Sequence, residues 1–263
     1  MNLLDDVTSR LERWTFLDKI GDPVRTVVQA AVKPRLVRNV LSGTPLGHPL
    51  HALLTDFPIG AWSLASLLDL VGGERDEHAA DVLVGAGLVA AIPTAAAGLN
   101  DWAETFDAPG RLGVAHAALN VTALGFYGAS LAARKSGSRA AGKGLALAGF
   151  GILMASGYLG GHLAYSKGVK VSRTAWHEGP TEWEDALAES ELDDAKPHLA
   201  HLGDIPILVV RESGRIVALD NMCTHAGGSL NEGTIKDGCV TCPLHGSTFR
   251  LSDGGVVLGP ASA

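Results

Sequence analysis

The chain has 263 residues, room for one large domain or two modest ones, and leans toward apolar and small residues, with 33 glycines, 19% charged residues and a mean hydropathy of +0.19. Such hydropathy is high for a globule wholly surrounded by water and ordinary for a chain half embedded in lipid. A net charge of -7, with bases gathered near the start and acids between Glu178 and Asp194, gives no case for a nucleic-acid partner, and three cysteines are an odd count that suggests no disulfide framework.

The N terminus has no short apolar core followed by a small-residue cleavage site and no paired arginines, so no leader is expected there. Residues 1–47 instead place Leu4, Val7, Leu11, Val27, Val28 and Ala31 at helical spacing, with Arg10, Arg13, Lys19, Arg25, Lys33, Arg35 and Arg38 between them. This predicts amphipathic helices on an anionic membrane surface, although an amphipathic helix packed on protein has the same pattern.

Four apolar stretches follow, at 52–71, 82–99, 114–133 and 144–163, each near the ~20 residues that cross ~30 Å of hydrocarbon. They predict an all-α four-helix transmembrane bundle over 48–166, a buried soluble bundle being the competing reading. Asp56 and Asp69 interrupt the first stretch and Pro93 the second, while Gly157 and Gly161 would let a neighbouring backbone approach the fourth. An even number of spans puts both ends of the chain on one side. The basic residues before the first span, with Arg111, Lys167, Lys170 and Arg173, predict that this side is cytoplasmic; Arg75, Arg134, Lys135, Arg139 and Lys143 pull the other way.

An up-down-up-down bundle brings His51, His116 and His162 to one membrane face, together with Asn100 and Asp101. Ionisable groups at that depth are costly and usually functional. The expectation is a redox or ligand site, either a b-type haem held by two of the histidines or a quinone pocket; histidines capping helix ends are the alternative. His48 and His51 are too isolated a pair for the clustered histidine boxes of membrane hydroxylases. His78, His177, His198 and His201 fall in loops or the linker and are expected to be solvated.

Residues 167–182 read as a linker. From 183 onward, short β-rich runs such as Ile207 to Val210 and Arg215 to Leu219 alternate with Gly, Asp and Asn turns, which predicts a small all-β domain. It contains Cys223-Thr-His225 and, further on, Cys242-Pro-Leu-His245-Gly246-Ser247. Two Cys-plus-His pairs on separate loops suit a two-iron cluster bound unequally, thiolates on one iron and neutral imidazoles on the other. Tetrahedral zinc is the competing occupant, although zinc sites usually pair Cys with Cys across a short spacing. Cys239 reads as a buried strand residue rather than a fifth ligand.

The sequences CTHAGGSL and CPLHGSTF resemble the two cluster loops of Rieske [2Fe–2S] domains, and Gly259-Pro260 resembles the proline loop that covers the cluster. The resemblance covers 183–263. It implies that Cys223 and Cys242 ligate the inner iron, that His225 and His245 ligate the outer iron through exposed rings, and that the Ser247 hydroxyl lies beside the cluster. The cysteines that form a disulfide in quinol-oxidising members are replaced by Gly228 and Leu244, and the expected tyrosine by Phe249, which implies a lower, ferredoxin-like potential. Closing strands that normally follow the proline loop are not in the sequence, so the sheet is expected to be open-edged or truncated at its C-terminal end. The segment LSGTPLGHPLHALLTDFPIGAW, 41–62, resembles a bacterial four-helix membrane domain of undefined function (DUF2231-like), which is found in actinobacteria fused to Rieske domains.

Together these features predict a multi-pass protein of the bacterial cell membrane with its Rieske domain in the cytoplasm. It would pass single electrons between a reductase or quinol pool and an unknown acceptor. Its partners would be redox proteins and lipid. A redox sensor and an electron-supplying component of an oxygenase system are the alternatives; the few residues after His245 leave no room for a mononuclear iron domain.

Overall fold

In the computed structural model, residues 3–212 and 214–262 are described; Met1, Asn2 and Ala263, at the outer ends of the first and last expected domains, lie outside them. The chain divides into two compact units, residues 1–31 with 50–167, and residues 32–49 with 168–263.

The first unit is helical. α1 (Leu3–Arg13) and α2 (Phe16–Ala31) precede α4 (Leu50–Val71), α5 (Glu77–Trp102), α6 (Asp107–Lys135) and α7 (Arg139–Tyr165), while α3 (Arg35–Ser42) belongs to the other unit. Among the described residues four helices, α4 to α7, are long and apolar enough to cross a membrane. At ~1.5 Å per residue the shortest, with 22 residues, still exceeds ~30 Å. Each begins before and most end after its predicted apolar stretch, because a helix continues into polar surroundings where hydropathy no longer marks it.

Small residues let these helices pack closely around Trp62, Ala65, Val84, Ala123, Tyr127, Ala146 and Leu153. The rings of Trp62 and Tyr127 stack with centroids 4.1 Å apart. Pro58 lies inside α4 and has no N–H to offer the Leu54 carbonyl; the Thr94 hydroxyl approaches that carbonyl at 3.2 Å, a substitute partner in a place where water is scarce. Near the α4–α5 and α6–α7 loops, the fully buried Arg134 is paired with Asp69 and, at 3.0 Å, with Asp81.

α1 and α2 have protein partners as well as exposed apolar residues such as Val7, Phe16 and Val27. Arg111 holds the Asp18 carboxylate with two nitrogens at 2.8–3.0 Å and donates to the Glu12 carbonyl at 2.9 Å. Arg25 lies over the rings of Trp102 and Phe106.

The second unit carries two antiparallel sheets. One has the order β1 (Pro197–Leu202), β2 (Ile205–Glu212), β3 (Arg215–Asp220); the other runs β4 (Thr234–Lys236), β5 (Cys239–Thr241), β6 (Thr248–Arg250), β7 (Val256–Leu258). Alternation along β2 and β5 points Leu208, Val210 and Val240 into a core with Leu230, Phe249 and Leu251, and Cys223 and Cys242 belong to the same cluster. Cys239 is a half-buried residue of β5. His177, expected to be solvated, is half-buried and pairs with the Asp220 carboxylate, a partner far away in sequence.

Candidate metal centre

Two loops of the β unit have the same backbone design. In one, the Cys223 N–H donates to the Gly228 carbonyl at 2.8 Å and the Gly227 N–H to the Cys223 carbonyl at 2.8 Å. In the other, the Cys242 N–H donates to the Ser247 carbonyl at 2.8 Å and the Gly246 N–H to the Cys242 carbonyl at 3.1 Å. Gly227 and Gly246 both take positive φ, 77° and 74°, which a residue with a side chain would resist. Each turn thereby curls around its cysteine.

The loops face each other. Cys223 and Cys242 are 1% and 3% exposed, whereas His225 and His245 are half-buried, their ring centroids 5.1 Å apart. The thiols share a hydrogen bond, so the pair gives up one proton readily at Cys242, pulled down to about 6, and holds the other at Cys223 well above the usual thiol range. Backbone N–H groups of His225 and Ala226 point at the Cys223 sulfur, and those of Leu244 and His245 at Cys242. Burial first, and then the charges of Lys170, His245, Arg38 and Arg173, push the His225 imidazole down to about 3, so it is a neutral ring at ordinary pH.

Among the described residues the Nδ1 atom of His225 is buried without a hydrogen-bond partner. A buried ring nitrogen with no donor or acceptor is costly unless it binds something. Two donors per metal is what a two-iron cluster asks of its protein, whereas structural zinc asks four donors of one point. The donor set of Cys223, Cys242, His225 and His245 fits a [2Fe–2S] cluster. A side chain at Gly228 would meet Cys242 Sγ at 2.8 Å, so a larger residue there would have to displace the cysteine.

Ser247 is fully buried, and its oxygen accepts the Ala261 N–H at 3.0 Å, tying the second cluster loop to the proline loop. The other attachments of these loops went unseen in the sequence. Asn39 donates to the Val257 carbonyl and accepts the Gly259 N–H, both at 3.0 Å. Thr44 donates to the Ala261 carbonyl at 3.1 Å, Lys170 to the Pro260 carbonyl at 2.8 Å, and Arg38 to the His245 carbonyl at 2.8 Å. All four come from segments that flank the helical bundle in sequence. The amphipathic pattern of 1–47 suggested a lipid surface, and for α3 it did not distinguish that from this protein surface.

In the helical unit, His51 lies on α4 and His116 on α6. His51 Nδ1 is 2.9 Å from the Thr94 carbonyl and His116 Nδ1 is 2.9 Å from the Ser156 carbonyl, while Asn120 meets the second nitrogen of His116 at 3.0 Å. The Nε2 atom of His162 lies 3.5 Å from Glu12, which pairs with Lys167, and is itself buried without a hydrogen-bond partner among the described residues. Asn100 donates to the Asp101 carboxylate within α5.

Comparison with known proteins agrees with this construction. The family model for the Rieske [2Fe-2S] domain matches residues 182–263, and that for a predicted membrane protein, DUF2231, matches residues 47–173. The ferredoxin subunit of anthranilate 1,2-dioxygenase from Burkholderia cepacia is 33% identical over 79 residues, 30% of this chain and 73% of that protein. Ferredoxin CarAc of Metapseudomonas resinovorans is 33% identical over 73 residues, 27% of this chain and 68% of that protein. Aminopyrrolnitrin oxygenase PrnD of Pseudomonas fluorescens is 38% identical over 63 residues, 24% of this chain but 17% of that protein. No solved structure matches the chain. The protein belongs to the Rieske [2Fe–2S] family, whose members here include ferredoxin components of oxygenase systems, and an electron-transfer role goes with that membership. More particularly, it is a fusion of a Rieske domain to a membrane domain of the DUF2231 type.

Proposed function

We propose that this protein is a membrane-anchored carrier of single electrons. The observation that carries the reading is the arrangement of the donor pairs, with both cysteines buried in the β core and both histidines half-exposed at the tips of their loops. When bound, the cluster supplies a one-electron couple, with neutral imidazoles in place of two thiolates raising its potential relative to an all-cysteine cluster. The chain's own residues do the rest. The two loops hold the imidazoles toward the surface as the route for the electron, backbone N–H groups aimed at the sulfurs favour the reduced form, and the proline loop keeps water from the inner side.

The named relatives make an oxygenase system the first class of acceptor to test, with a reductase or the quinol pool as donor. The excess of Lys and Arg on the side of the chain termini supports a cytoplasmic Rieske unit in a bacterial cell membrane. Redox sensing is the slower alternative, and sustained turnover between a reductase and an acceptor would dismiss it. The test is an EPR and absorption spectrum of membranes containing the chain, with protease added to either face. A Rieske signal lost on cytoplasmic proteolysis is expected; no such signal, or protection from cytoplasmic protease, would overturn the reading.

A second reading concerns the membrane histidines, at which a haem b or a quinone would bind. What favours it is that His51 and His116 each turn Nδ1 to a backbone carbonyl, the arrangement that orients a ring for ligation through its other nitrogen, which in His116 would have to exchange Asn120 for the ligand. His162, with its ring nitrogen 3.5 Å from Glu12, is outside that set. Purified protein should then show a Soret band, or a quinone-dependent change in the cluster spectrum, lost in His51→Ala and His116→Ala and kept in His162→Ala. Neither signal in the unmodified protein would remove this reading.

A further inference from the structure

The helical bundle repeats itself. Shifting α4 by 65 positions lays it on α6: His51 falls on His116, Ala52 on Ala117, Leu54 on Leu119, Gly60 on Gly125 and Trp62 on Tyr127. Shifting α5 by 62 lays it on α7: Leu83 falls on Leu145, Ala86 on Ala148, Gly87 on Gly149, Thr94 on Ser156 and Gly98 on Gly160. The three-position difference between the shifts is taken up in the shorter α6–α7 loop.

The contacts repeat with the residues. His51 reaches the Thr94 carbonyl and lies against Gly98, and its counterpart His116 reaches the Ser156 carbonyl and lies against Gly160, with both hydrogen bonds at 2.9 Å. Trp62 fills the space left by Gly87, and Tyr127 that left by Gly149. Burial follows the same shifts: Pro58, Trp62 and Ala65 correspond to Ala123, Tyr127 and Ser130, and Ala80, Val84 and Ala97 correspond to Gly142, Ala146 and Leu159, all buried. Counterparts also meet each other, as they must near a two-fold axis. Trp62 stacks on Tyr127 with the ring planes 7° apart, and Asp69 pairs with Arg134, which occupies the corresponding place.

The two copies differ in charge in one consistent way. Asp69, Glu77 and Asp81 of the first correspond to Arg134, Arg139 and Lys143 of the second. Arg134 contacts Asp69 and Asp81, Arg139 contacts Glu77 and Asp81, and Lys143 approaches Glu77. An interface between identical hairpins would bring like charges together; here one copy is acidic and the other basic, so that each fits the other and repels itself.

We propose that the membrane domain is a tandem duplication of one helical hairpin, and that the surface joining its halves is a former two-copy interface made specific by division into an acidic and a basic partner. Both hairpins start on the same side of the bundle, so the repeats are parallel, related by an axis along the bundle rather than inverted across it.

The test uses the full-length, cluster-loaded chain in detergent. In one variant the three acids are reversed (Asp69→Arg, Glu77→Arg, Asp81→Lys), leaving six cations together. In the other, the bases are reversed as well (Arg134→Asp, Arg139→Glu, Lys143→Asp), so that each charge sits in its counterpart's place. All six positions lie toward the same end of the bundle, so the complete exchange leaves the net charge of that end unchanged. Loss of monodisperse, thermally cooperative protein is expected in the first and its recovery in the second. Six exchanges that fold no better than three, or three that fold as well as none, would overturn the proposal. The uncharged exchange Trp62→Tyr with Tyr127→Trp is expected to leave the thermal midpoint within a few degrees of the parent, and loss of folded protein in it would by itself deny that the two places are equivalent.

Discussion

Replacing Asn39 by alanine should loosen the proline loop while leaving Cys223, Cys242, His225 and His245 in place. Asn39 both gives a hydrogen bond to the proline loop, at the Val257 carbonyl, and takes one from it, at the Gly259 N–H, each 3.0 Å long. Two such bonds contribute about 1–3 kcal/mol net, and the buried Gly259 N–H would be left without its partner. A loss of about 2–3 kcal/mol in closing the loop corresponds to roughly 30- to 150-fold in the ratio of closed to open forms. Amide exchange at Gly259 in the cluster-loaded protein should rise by that factor, and the visible absorption of the cluster should bleach faster in air. Asn39→Asp keeps the acceptor for Gly259 and should exchange closer to the parent. If Asn39→Ala exchanges and bleaches like the parent, α3 is not part of the cluster's housing and the reasoning is wrong.

Arg38→Gln removes a cation bound to the carbonyl of His245, so the reduced cluster loses a favourable charge and the midpoint potential should fall; an unchanged potential in a redox titration would contradict this. Arg134→Met leaves Asp69, whose side chain is 1% exposed, with only the more distant Arg139 at 3.9 Å among the described residues, and should cost up to about 3–5 kcal/mol in thermal unfolding, whereas Arg134→Met with Asp69→Leu should recover much of it. The hydrogen bond from Arg111 is the main cause holding the Asp18 carboxyl below its usual range, so the folded form has the lower pKa. Its contribution to docking α2 on α6 is therefore present above about pH 4 and lost as pH falls through the folded value, and protease sensitivity of 1–31 should rise only in acid.

The parts of this molecule that could be read from sequence are those whose chemistry is local. Cys223 with His225 and Cys242 with His245 sit on short loops whose glycines are in the motif itself, so the sequence already marked the two loops that the fold sets face to face. The four spans were legible because crossing a bilayer needs length and apolarity and little else. The grip of Arg38, Asn39, Thr44 and Lys170 on the cluster loops was not, because those partners are 90 to 220 positions apart and no periodicity connects them. His162 was grouped with His51 and His116 by topology, yet its ring nitrogen lies 3.5 Å from Glu12 of α1, a neighbour that only packing supplies. The repeat within the bundle is present in the sequence as His-Ala-x-Leu, but the identities are too few to stand out until contacts at 2.9 Å recur at matching places.

The claim on which the rest depends is that Cys223, Cys242, His225 and His245 hold iron and sulfide together. Metal and acid-labile sulfide analysis of anaerobically purified chain, with Cys242→Ser prepared in parallel, tests it directly. The account predicts about two irons and two sulfides per chain, both lost in the variant. Zinc alone, or iron without sulfide, would contradict it.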